Sequence, residues 1–158
     1  MKKLNNKGFS LVELIIVIAI MAVLIAVLAP QFLRYVERSR ISRDNSAIGE
    51  IATSIKAGMA DEGINAGLIT AGGAATYTAA AAAAGGPLQF TFATGLNGGL
   101  DDELIASVGA NVALSSNAYN GGTAPVITVT VTAGTGTVTI QCANYVQPDG
   151  TVVAAQDL

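Results

Sequence analysis

Between Phe9 and Ala29 the chain has 21 residues of which only Ser10 and Glu13 are polar. At about 1.5 Å rise per residue such a helix is about 31 Å long, which matches the ~30 Å hydrocarbon core of a bilayer. Leu14–Ala29 contains no Gly, Pro or polar residue, and in lipid only a helix pairs each of these backbone groups within the segment. Past Pro30 the pattern becomes amphipathic: Ala47, Ile48, Ile51, Ile55 and Met59 recur at spacings of three and four. That period predicts that the helix continues until Gly58, Gly63 and Gly67 weaken it near residue 60. Pro30 removes one hydrogen bond and crowds the preceding turn, which predicts a bend there. Glu37–Arg40 and Arg40–Asp44 sit at pairing distance, so the charged band reads as a solvated face of the same helix.

Beyond residue 60 the texture changes. Residues 61–86 are rich in Gly, Ala and Thr, and the run Ala79–Ala84 is expected to form a turn or two of helix. After Pro87 the period shortens to two, with Leu88, Phe90 and Phe92 alternating with Gln89, Thr91 and Ala93. Residues 126–132 and 137–142 read as two strands joined by the loop Ala133-Gly134-Thr135-Gly136. Pro148-Asp149-Gly150 is a turn, after which Thr151–Ala154 forms a short last strand. Asp101–Val108 reads as a brief helix with acids at its start. The expected fold class is α+β: one long N-terminal helix, kinked near Pro30, packed on a three- to four-stranded antiparallel sheet.

Composition narrows the chemistry. The 158 residues are 51% hydrophobic and 12% charged, with no His, no Trp and one Cys. There is no imidazole for acid–base work near neutral pH, and a lone Cys gives no intramolecular disulfide or multi-cysteine zinc site. Cys142 falls on the strand face of Val138 and Ile140 and reads as a small buried hydrophobe. Asp101-Asp102-Glu103 lacks the spacing of a calcium loop, and Gly134-Thr135-Gly136 lacks the Gly-Lys-Ser/Thr of a phosphate loop. No catalytic residue, metal site or cofactor site is expected. Charge is split along the chain: residues 1–56 carry all eight bases and four acids (+4), and residues 57–158 carry seven acids and no base (−7). A region without a base cannot neutralise phosphates, which argues against direct nucleic-acid binding there. Phe9, Phe32 and Tyr35, near the apolar helix, read as ordinary packing residues.

The segment before the apolar run holds the candidate chemistry. A secretory signal has an apolar core of 7–15 residues followed by a small-residue cut site. Here the uncharged run is 16 residues long, and Val27-Leu28-Ala29 is followed by Pro30. A plain membrane anchor has no use for Glu13, because a charge in a lipid-facing helix costs about 2–3 kcal/mol or more at the bilayer centre and marks function with a partner. Lys7-Gly8-Phe9-Ser10-Leu11-Val12-Glu13, the apolar run and Pro30 together resemble the class III signal of type IV prepilins, of the major-pilin kind.

The resemblance spans residues 1 to about 57 and implies an architecture: leader 1–8, membrane and assembly segment 9–29, amphipathic helix 30–60 and head 61–158. It implies that a prepilin peptidase cuts between Gly8 and Phe9 and N-methylates the new Phe9 amine. It also implies that Glu13 of one subunit meets the Phe9 amine of its neighbour and sets axial register. A bare Gly8 lets a protease approach the backbone closely, and a buried carboxylate is tolerable when paired with an amine. The implied partners are the homopolymeric helical filament, the peptidase/methyltransferase, an assembly ATPase with its platform protein, and the membrane before assembly. The implied locations are the bacterial cytoplasmic membrane for the precursor and the cell surface for the pilus. A pseudopilin of a type II secretion or DNA-uptake system carries the same leader. A membrane-anchored surface enzyme is a different class, and it predicts no polymer.

Overall fold

In the computed structural model, residues 8–64, 66, 73–81, 86–92, 99–122, 124–132 and 137–158 are described. The first element, α1, runs from Leu11 to Gly58 as one α-helix with Pro30 inside it. By contacts the chain divides into two units, one ending at Val36 and one from Glu37 to Leu158.

In the first unit, α1 has no tertiary cover. Its large apolar side chains from Leu11 to Tyr35 are 45–72% exposed. A helix that is apolar all round in this way is suited to a membrane or to the interior of an assembly. The helix is long and apolar enough to cross a bilayer. Phe32 and Tyr35 are exposed with the rest, so the packing expected of them does not occur within one copy.

The second unit packs the rest of α1 into a mixed head. Its strands are β1 (Ala74–Thr78), β2 (Ala80–Ala81), β3 (Leu88–Thr91), β4 (Asn111–Ala113), β5 (Val126–Val131), β6 (Val138–Val146) and β7 (Val152–Asp157). Two further helices are α2 (Leu100–Val108) and α3 (Asn117–Asn120). One antiparallel sheet has the order β1-β5-β6-β7, and a smaller one the order β2-β3-β4. Register places Ala75 opposite Val129, Val129 opposite Ile140 and Ile127 opposite Cys142. The same face of all three strands is therefore buried, as period-two alternation requires. Ile48, Ile51 and Ile55 of α1 join Phe90, Leu104, Ile127, Val129 and Cys142 in one core. Tyr77 and Phe92 meet edge to face, with ring centroids 5.3 Å apart.

The head departs from the expected pattern at several places. Ala80 and Ala81 are extended and pair with Gln89 and Leu88, rather than starting a helix; Ala82–Ala84 lie outside the described residues. Alanine's helix preference is well under about 1 kcal/mol per residue, and pairing with the neighbouring strand overrides it. The β5–β6 hairpin loop 133–136 also lies outside the described residues. β6 extends to Val146 and β7 to Asp157, each longer than periodicity alone indicates. Between them Gln147–Thr151 closes as a turn: Gly150 N–H donates to the Gln147 carbonyl at 2.8 Å, with Gly150 at φ 92°, a conformation that favours glycine. The Thr151 N–H, donating to Asp149 at 2.8 Å, is the main reason that carboxyl is held below its ordinary range. Asp101 is buried at 1% exposure, so the acidic start of α2 is not wholly solvated.

Candidate assembly site

Gly8, Phe9 and Ser10 precede α1, and Phe9 is 90% exposed. A Cβ placed at Gly8 would meet nothing within 4 Å, and Gly8 is not among the positive-φ glycines. Nothing inside the described chain therefore demands glycine at this position. Glu13 stands in the first turn of α1, where a negative charge complements the helix dipole. Its Oε2 accepts the Ser10 N–H at 3.4 Å, and the Leu14 N–H donates to the Ser10 carbonyl at 3.2 Å. This is one half of a capping box, in which an N3 carboxylate reaches back to the N-cap amide. The Ser-x-x-Glu spacing of Ser10 and Glu13 was the legible signal for it. Within a single chain, Glu13 caps its own helix through the Ser10 N–H.

A second arrangement, which sequence reasoning missed, holds the head to α1. Asp44 is 1% exposed and takes the Ser115 N–H at 2.9 Å, the Ser116 N–H at 2.7 Å and the Ser115 hydroxyl at 3.0 Å. Two turns earlier Glu37 Oε1 accepts the Asn117 N–H at 2.6 Å and the Ala118 N–H at 3.1 Å. Its other oxygen lies 3.7 Å from Arg40. Asn45 donates to the Val146 carbonyl at 2.9 Å and accepts the Tyr119 hydroxyl at 2.8 Å. That hydroxyl in turn accepts the Val146 N–H at 3.0 Å. The band read as a solvated face is thus partly a docking face: Glu37 and Asp44 take the backbone donors of residues 115–118, and the expected Arg40–Asp44 pair does not form. Glu37 and Asp44 flank Ile41 on the inner side of the helix, and that i, i+7 placement beside apolar residues was the signal available. Burial pushes the Tyr119 hydroxyl above its ordinary range and the Cys142 thiol up to about 11. Among the described residues no three His, Cys, Asp or Glu side chains gather to hold a metal ion.

Residues 3–29 match the family model described as the prokaryotic N-terminal methylation motif. Over 124 residues the chain is 38% identical to the type IV major fimbrial protein FimA of Dichelobacter nodosus, covering 72% of this chain and 78% of that one. The chain belongs to the type IV pilin family. A second Dichelobacter nodosus FimA sequence is 44% identical to this pilin over 61 residues, 39% of this chain and 38% of that one. A fimbrial protein of Pseudomonas aeruginosa is 35% identical over 54 residues, 34% and 35% of the two chains. No solved structure gives a match. These relatives are fimbrial proteins, so the pilin is a structural subunit of a type IV pilus, and the pseudopilin alternative is not favoured. Its family implies a filament of pilin subunits and processing by a prepilin peptidase.

Proposed function

We propose that this pilin waits in the bacterial cytoplasmic membrane as a precursor and is cut between Gly8 and Phe9. Phe9 is then N-methylated, and the chain passes into a surface filament through α1. Gly8 serves the peptidase: a Cβ placed there would meet nothing within 4 Å, and a bare Cα admits close approach by another protein. The carrying observation is the join between Glu13 and the apolar helix behind it. Its large side chains from Leu11 to Tyr35 are at least 45% exposed in one copy, so they require lipid or neighbouring helices. Glu13 has one weak bond, from its own Ser10. Cleavage creates a cationic amine at Phe9, and the Phe9 amine of an adjacent subunit offers Glu13 a stronger, charge-assisted partner. That pairing sets axial register.

An assembly ATPase acting through a platform protein drives extraction, exchanging lipid burial for burial among α1 helices. Pro30 lets the rod bend as it leaves the bilayer. The pilin works as a structural element and not as a catalyst, and its acidic head forms the outer surface of the fibre. Glu13→Ala tests the register role. The variant is expected to be cut normally and to accumulate in the membrane, with no sheared filaments by electron microscopy. Normal filaments from Glu13→Ala would remove that role.

A further inference from the structure

Charge is segregated along this pilin in a way that one copy does not resolve. Removal of residues 1–8 takes three of the eight bases and leaves 5 − 11 = −6 in side-chain charge. The remaining bases all lie on α1, between Arg34 and Lys56. Arg38 and Arg43 are exposed. Among the described residues, which include all eleven acids, Arg43 has no ion pair, and Arg38 only weakly stabilises the exposed Asp149 carboxylate.

The opposite charge gathers at the other end of the head. Past the C-terminus of α1 come Asp61 and Glu62, and the first turn of α2 carries Asp102 and Glu103; all four are exposed. These two segments are neighbours, because a Cβ at Gly58 would meet Leu100 Cδ1 at 3.0 Å and Glu103 Cγ at 3.2 Å. Lys56 lies in the last turn of α1, two residues before Gly58. Within one copy the two patches cannot meet. Fifteen residues of helix separate Arg43 from Gly58, which is about 22 Å of rise, far beyond ion-pair reach.

Resting on the pilus-subunit reading above, we infer that Arg38 and Arg43 of one subunit dock the Asp61–Glu62 and Asp102–Glu103 end of a second copy. The occupant follows from charge complementarity. A homopolymer of strongly negative subunits repels itself, and the register that seats acids on the arginines relieves that repulsion while rejecting like-charged alignments. This register offsets the contacting copies by about 22–30 Å along α1, the rise from Arg43 or Arg38 to Gly58.

Sheared filaments of the full chain test this. The double variant Arg38→Lys/Arg43→Lys keeps both charges and supplies amines that a zero-length carbodiimide joins to carboxylates. The expected products link position 38 or 43 to peptides carrying Asp61–Glu62 or Asp102–Glu103, and the helix length makes those links intermolecular. Arg38→Glu/Arg43→Glu is expected to lower filament yield about tenfold at unchanged membrane pilin level. Adding Asp102→Lys/Glu103→Lys is expected to recover much of that loss. Filaments whose subunits start at Phe9 but show no such links would overturn the inference and leave the pilin reading intact. So would wild-type yield from the reversed arginines, or a reversal that only releases the precursor from anionic membranes. Failure of the unaltered chain to form any filament would overturn both.

Discussion

Asp44→Ala removes the centre of the contact between α1 and the segment 115–118. The carboxylate is 1% exposed and accepts two backbone N–H groups and one hydroxyl at 2.7–3.0 Å. A net hydrogen bond to a charged group is worth about 1.5–3 kcal/mol, and an orphaned buried donor costs about 1–3 kcal/mol. Ser116 is fully buried and has no water to turn to, while half-buried Ser115 recovers part of its loss from solvent. We expect a loss of about 3–4 kcal/mol, a large share of the 5–15 kcal/mol that holds a typical domain together. The assay is guanidinium unfolding of the full chain in detergent, followed by tyrosine signal, since the chain has four Tyr and no Trp. With a slope of about 4 kcal/mol/M the midpoint falls by about 0.8–1 M. Ser115→Ala removes only the hydroxyl bond to the carboxylate and should cost about 1.5 kcal/mol, the low end for a half-exposed donor to a charged group. Glu50→Gln, on the exposed face, should stay within about 0.5 kcal/mol of the parent. An Asp44→Ala midpoint indistinguishable from that of Glu50→Gln would refute the docking role.

Two other outcomes follow from the same contacts. Cys142 is buried, and its thiol stands at about 11 against an ordinary 9.0. The unfolded chain therefore releases that proton first. Stability is unaffected by this group below pH 9.0 and falls as pH rises from there to about 11, by about 2–3 kcal/mol. Unfolding midpoints across that range check it, and Cys142→Ala should remove the part of the loss below pH 10. Gly8→Val should leave head stability unchanged, since nothing lies within 4 Å of the added carbon. It should also leave the leader attached, seen as an uncut precursor by mass spectrometry.

The long helix was legible because its signal is redundant: an apolar run of bilayer length, then a three-four period through Ile48, Ile51 and Ile55, all three fully buried. The β5–β6 pairing was legible for the same reason, since alternation in 126–132 leaves one face for the core. Of the second sheet only β3 was legible, from the alternation of Leu88, Phe90 and Phe92. Ala80 and Ala81 carry only methyl groups, which signal no face, and their extended state comes from pairing with β3. Charge misled at Asp44, because sequence marks an acid without showing which backbone donors the fold will bring to it. At Asp44 those donors come from residues 71 and 72 positions away. The N-terminal motif around Gly8, Phe9 and Glu13 was legible by resemblance and spacing, while the pairing proposed for Glu13 involves a second subunit, which a single chain does not contain.

The central proposal is that the working N-terminus is Phe9 and that register depends on the amine created there by cleavage. N-terminal mass spectrometry of filaments sheared from the cell surface tests it directly. The account predicts a chain that begins at Phe9 with a methylated amine and retains the whole apolar helix. A chain that still begins at Met1, or that begins after Ala29, would contradict it.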